Sequence, residues 1–286
     1  MQRPTILMLS AGLALWASFG CGSSSEPTGS VSTPPAVCEP PGYHVDTDAV
    51  TIDQVRATLS VPSGDPASDL PVQVCGINLC LNYNANQSGV LNVTPHQSLV
   101  LPALKYGDGF DYAELAVPLG SDAKQDLGEL VALPLPALSE GAKFPKSGDL
   151  SSGDLTLHLD ANGSFEHDLL TYSDDSQLVF RSVVVPIADS AQALPPSLGF
   201  ELAYGVAPLG TTFCPAAKLS LKNTLEWAPG TEVEIFVQGL DVSEKWAPYG
   251  TWLSVAEGRV SSDGSSIDTT SGGIPILSSI ALRRKK

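Results

Sequence analysis

A chain of 286 residues with 43% hydrophobic side chains has ample apolar material for a core, and only 16% of it is charged, against the usual quarter or so. Its 26 glycines and 23 prolines argue against long helices and for short strands joined by turns. The net charge is −16, and between residues 21 and 282 ten basic residues face all 31 acids; such a surface repels phosphate backbones and excludes nucleic acid as a partner.

Residues 1–20 read as an export signal. Arg3 supplies the positive start, "ILMLSAGLALWASF" the apolar stretch, and "SFG" a small-residue approach to Cys21. The apolar run is shorter than the roughly 20 residues that a permanent membrane-spanning helix needs. "CGSSSEPTGSVSTPPAVCEPPG" then turns abruptly to Gly, Ser and Pro, so residues 21–47 are expected to be a tether. This arrangement resembles a bacterial lipoprotein signal, in which a small residue, here Gly20, precedes the cysteine that takes the lipid. The resemblance implies lipid attachment at Cys21, a membrane anchor, and a place in the outer membrane or at the cell surface, because Gly22 replaces the aspartate associated with inner-membrane retention. Ordinary cleavage after Gly20 would use the same small residues.

With Cys21 set aside, Cys38, Cys75, Cys80 and Cys214 remain, an even number that in an exported chain reads as two disulfides with three possible connectivities. A straight strand would hold Cys75 and Cys80 roughly 16 Å apart, too far to bridge. A turn at Gly76 or Asn78 would bring them together, which favours Cys75–Cys80 with Cys38–Cys214. Zinc would compete for these thiols, but the chain has no CxxC pair and no His cluster beside them.

From residue 48 the apolar residues alternate with period two. "VRATLSV" places Val55, Ala57, Leu59 and Val61 on one face, and "LPVQVCG", "GVLNV", "YAELAVPL" and "GELVALPL" follow, parted by Gly-, Asn- and Asp-bearing turns. A first β-sandwich is expected over 48–138, a boundary in "SEGAKFPKSGDLSSGD", and a second β-sandwich over 153–282. In the second, Asn162-Gly163 signals a hairpin within "LTLHLDANGSFEHDLLTY", and "ADSAQAL" suits one helical turn. The fold class is therefore all-β.

Two stretches carry family resemblances. "VRATLSVPSGDPASDLPVQVCG…NQSGVLNV" resembles the carboxypeptidase regulatory-like domain, a transthyretin-type sandwich. "AYGVAPLGTTFCPAAKLSL", with Pro208, Gly210, Thr211, Phe213, Pro215 and Leu219 in place, is similar to the ZU-five β-sandwich, and "FRSVVVPIADSAQAL" to an edge of that same family. Both families are interaction or scaffolding modules. The resemblances imply a binding or structural role and bring no catalytic residues with them.

The chemistry-bearing residues are few. H-E-x-x-H and G-x-S-x-G are both missing, which removes zincins and α/β-hydrolases. His158 and His167 lie within reach of Asp160, Glu166 and Asp168, so a His–carboxylate dyad and a hydrolase around it form one reading; the polar faces of alternating strands form the other. Asp160, Asn162, Ser164, Glu166 and Asp168 present oxygens at alternate positions, a pattern that could serve calcium, although the sixth position of an EF-hand loop is here Phe165 rather than Gly. Asp46, Asp48 and Asp53, and Asp108, Asp111 and Glu114, offer weaker versions. No other cofactor is suggested. Trp227, Trp246, Tyr249 and Trp252 cluster near the C-terminus, and Trp246, Tyr249 and Trp252 are candidates for stacking on a carbohydrate, or for clamping strand ends over a core. The expected function is a lipid-anchored, non-catalytic envelope protein whose partner is a protein or polysaccharide of that envelope.

Overall fold

The alternation read in the sequence becomes strands. In Gln54–Ser60 the side chains of Val55, Ala57 and Leu59 are buried while Arg56 and Thr58 face solvent. A computed structural model describes residues 38–43 and 47–286; the export signal, Cys21, most of the 21–47 segment, His44 and Asp46 lie outside the described residues. Among those described there is no α-helix, only single 3-10 turns such as Ala188–Ser190, which falls within the expected helical stretch.

Beside one antiparallel pair, Val50–Ile52 with Gln97–Leu99, the first group of strands makes two larger sheets. Val90–Val93, Gln54–Ser60 and Lys124–Val131 form one, with the last two strands parallel. Leu79–Asn84, Pro71–Gly76, Ala103–Tyr106 and Leu115–Pro118 form the other, all antiparallel. Val55, Leu59, Leu91 and Leu130 from the first sheet share a core with Val72, Val74, Leu104 and Leu115 from the second. Each such side chain contributes about 1.5–3 kcal/mol when fully withdrawn from water. Cys75 and Cys80 face each other across the Pro71–Gly76/Leu79–Asn84 hairpin, with alpha carbons 4.0 Å apart, and are bonded. The second disulfide joins Cys38 to Cys214. The pairing favoured from the sequence is the one the structure holds.

The second group is one continuous sheet folded over a single core. It runs from Ala142–Lys143 through Val179–Val184, Leu202–Ala207, Ile280–Arg284, Glu232–Gln238, Trp252–Val260, Ser266–Gly272, Thr212–Lys222 and Leu155–Leu159 to Gly148–Ser152. The last strand returns to the second where Ser182 N donates to Ser152 Oγ (2.8 Å) and Ser182 Oγ donates to Ser152 O (2.7 Å). Leu157, Phe180, Val206, Leu219, Ile235 and Ile280 fill the interior.

Asn162-Gly163 does not make the expected hairpin. Neither residue takes the positive φ that a two-residue reversal requires. Instead Leu155–Leu159 and Ser164–Glu166 lie one after the other along the same long strand, Thr212–Lys222. Gly163 serves a close approach: a Cβ there would stand 3.0 Å from the Cys214 carbonyl oxygen. The reversal falls earlier, at Gly153-Asp154, with Ser152 opposite Leu155 and Gly153 at φ +57°.

The two groups of strands are packed together. The first core continues through Val185, Leu194, Phe200, Ala203, Phe236 and Ala281 of the second group. Gly205 has no side chain because a Cβ would lie 2.3 Å from that of Ala113. Arg181, 2% exposed, donates from Nη1 to the Phe110 and Pro136 carbonyls at 2.7 and 3.0 Å. The segment expected to separate two domains is itself partly strand, at Ala142–Lys143 and Gly148–Ser152.

Candidate functional site

A cleft of about 690 Å³ opens beside the junction of the two strand groups. Cys38 and Pro40 reach it from the N-terminal side, Lys105 and Glu114 from the first group, and the 166–171 and 238–247 segments from the second. The N-terminal segment is held there: the Gly42 and Tyr43 amides donate to the carbonyls of Lys245 (3.1 Å) and Glu244 (2.9 Å). Those residues belong to the loop that carries Trp246, and the half-buried Trp246 also lines the cleft.

The cleft includes an ion pair. Lys105 Nζ lies 3.2 Å from Glu114 Oε1, and the two side chains are only 13% and 14% exposed. Burial holds the Glu114 carboxyl above the usual carboxylate range, against the opposite pull of the Lys105 ammonium. A largely desolvated pair at a cavity wall is the kind of group that a ligand can address. The other acids nearby are engaged locally. Asp108 Oδ1 accepts the amides of Phe110, Asp111 and Tyr112 at 2.9, 2.9 and 3.0 Å, and Asp241 Oδ1 accepts that of Ser243 at 2.8 Å.

The aromatic group does not form one face. Tyr249 is 1% exposed and packs with Cys75, Ala103, Ala116 and Leu240. Trp252 donates from Nε1 to the Ala193 carbonyl at 2.9 Å and meets Phe200 edge-on at 5.0 Å. Trp227 is 8% exposed, its backbone held by Asn223. Tyr249 and Trp252 thus follow the strand-clamp alternative, and of the three stacking candidates only Trp246 faces the cleft.

The proposed metal ligands do not converge either. Asp160 Oδ1 accepts the Asn162 amide at 2.7 Å, and Asp168 Oδ1 accepts the Leu170 amide at 3.0 Å, so both carboxylates turn into their own loops. Glu166 is exposed. Among the described residues no group of three His, Cys, Asp or Glu side chains is placed to hold an ion.

The histidines have partners other than those expected. His167 Nδ1 pairs with Thr211 Oγ1 at 2.9 Å, and its ring stands edge-on to Phe144 at 4.7 Å; burial pulls its pKa down, with Asp175 opposing. His158 bonds Asp149 Oδ1 through Nδ1 and Ser220 Oγ through Nε2, both at 2.7 Å. Asp149, His158 and Ser220 stand in the order of a nucleophilic triad, an arrangement the sequence reading missed. Its only signal was the Gly153-Asp154 reversal, which sets Asp149 opposite His158. Chemically it is a surface network. Ser220 Oγ donates to Asp268 Oδ1 at 2.6 Å, and Ser220 sits inside the sheet, opposite Thr156 on one side and Asp268 on the other.

The fold and site define an all-β protein with two disulfides and a cleft of mixed apolar and charged lining at the junction of its strand groups. No protein-family model matches the chain, and no curated protein matches it. Among solved structures it is similar, over 82% of its length and 98% of the other chain, to a "putative carbohydrate binding protein" from Bacteroides uniformis, with 7% identity and a TM-score of 0.21. A likeness this slight does not extend to a common fold.

Proposed function

We propose that the chain is an exported, lipid-anchored protein of the cell envelope that binds its partner non-catalytically through the cleft. Cysteine use carries this reading. Cys38, Cys75, Cys80 and Cys214 are consumed in two disulfides, as suits an oxidising compartment, and Cys21 is the remaining cysteine of the five. It stands where the lipoprotein-like signal ends. The mass of the mature N-terminal peptide from membrane fractions tests the reading. A diacylglyceryl-modified Cys21 supports it, and an unprocessed Met1 with reduced sulfurs removes it.

A polysaccharide of the envelope is the second reading for the partner, favoured by one observation: the Trp246 indole lines a cleft that also presents the Glu114 carboxylate and the Lys105 ammonium. An aromatic face beside charged hydrogen-bonding groups suits a sugar ring and its hydroxyls. A glycan array probed with the native chain and with Trp246→Ala tests it. Equal binding by both removes the polysaccharide and leaves the anchoring reading intact.

A further inference from the structure

Leu169 and Leu170 are 65% and 99% exposed, two adjacent apolar side chains held out in water. The turn that carries them is firmly fixed. Asp168 accepts the Leu170 amide (3.0 Å) and the Thr171 hydroxyl (2.6 Å), and the Tyr172 amide donates to the Asp168 carbonyl at 2.9 Å. Tyr172 is fully buried; its hydroxyl donates to the Gly109 carbonyl at 3.2 Å and accepts the Leu209 amide at 2.8 Å. A turn pinned at both ends presents its leucines on a backbone that is already ordered, so contact costs only side-chain freedom.

Leu170 lines the same cleft as Cys38, the point where the described chain begins and where the disulfide to Cys214 fastens it to the Thr212–Lys222 strand. Cys38 lies only seventeen positions after Cys21, a reach of about 60 Å when fully extended. Any pull from an anchor therefore acts at this rim. Resting on the lipid-anchor reading, we infer that the Leu169–Leu170 turn seats in the interface of the anchoring bilayer and sets the cleft mouth against it. Glu166, Asp174 and Asp175 are exposed around the turn, so the surface it fits is zwitterionic rather than anionic. Two leucines are too little to hold the protein on lipid unaided; they orient a body that is already tethered.

The test uses the full chain purified from membranes and reconstituted into phosphatidylcholine–phosphatidylethanolamine vesicles. Leu170→Cys carrying a nitrobenzoxadiazole label reports the turn, and Leu225→Cys, at a 41% exposed leucine, is the control. A blue shift with a several-fold rise in emission at 170 alone, quenched by spin-labelled lipid and weakened by adding phosphatidylglycerol, is the expected result. Aqueous emission at 170 in protein that floats with the vesicles overturns the inference and leaves the anchor standing. An equal shift at 225 overturns it as general adsorption. Protein that does not float at all removes the anchor and this inference together.

Discussion

Gln238 clamps Ala116 with both ends of its amide: Oε1 accepts the Ala116 amide at 3.1 Å, and Nε2 donates to the Ala116 carbonyl at 2.8 Å. Ala116 lies in the outermost strand of the four-stranded sheet, and Gln238 lies in Glu232–Gln238 of the folded-over sheet. One side chain thus completes the ladder of an edge strand and joins the two strand groups. Gln238→Leu fills similar space but leaves a buried N–H and C=O unpaired, at about 1–3 kcal/mol each. The midpoint of thermal unfolding is expected to fall by roughly 10 °C for a chain of this size, read by circular dichroism. An unchanged midpoint would show that the clamp is replaced by water.

The disulfides are expected to differ in their hold on the fold. Cys38 and Cys214 are 176 residues apart, Cys75 and Cys80 only five. On the loop-entropy account, opening the long loop costs about 5 kcal/mol and the short one about 2. Paired serine variants compared by urea unfolding test this ordering. Equal losses would place the stabilisation in the folded state instead.

His167 gives the protein a pH dependence of known sign. Its folded pKa lies below the ordinary imidazole range because burial disfavours the charged ring. The unfolded chain therefore takes up the proton first as pH falls. The stability His167 contributes is present above the ordinary imidazole range and is lost as pH falls below it, through the depressed folded-state value. His167→Phe keeps the edge contact with Phe144 and should flatten that part of the stability profile. A slope identical to that of the native chain would assign the dependence elsewhere.

Trp246 and Trp252 are close in sequence and opposite in role. Trp252→Ala removes a half-buried ring packed on Phe200 and a hydrogen bond to Ala193, and should cost up to about 3 kcal/mol of stability, below the cost of emptying a fully buried site. Trp246→Ala removes a half-buried side chain at the cleft and should leave the unfolding midpoint within a few degrees while weakening whatever the cleft holds. A large stability loss at 246 would make it part of the core.

These contrasts show where the sequence was readable. Alternation along Gln54–Ser60 reports directly which side chains face inward, so the class of fold followed from it. Turn chemistry was less decisive. Gly153-Asp154, read as part of a boundary, makes a reversal, whereas Asn162-Gly163, read as a hairpin turn, does not, because both flanking segments find the same partner strand. A glycine can be selected for closeness to a neighbouring carbonyl as well as for positive φ, and sequence does not distinguish the two. The cleft was not legible at all. Its walls come from segments near 40, 105–114, 166–171 and 238–247, brought together only by tertiary packing. Tyr249 and Trp252 misled for a related reason, since proximity along the chain says nothing about which side of a sheet end each ring takes.

The Ser152–Ser182 seam has a consequence for molecules kept at high density. An open sheet of this length would offer two long rows of unpaired amides and carbonyls, on which neighbouring copies could stack into aggregates. By stitching the last strand to the second, beside the two-residue edge strand Ala142–Lys143, two serines turn a self-associating ribbon into a surface that tolerates crowding.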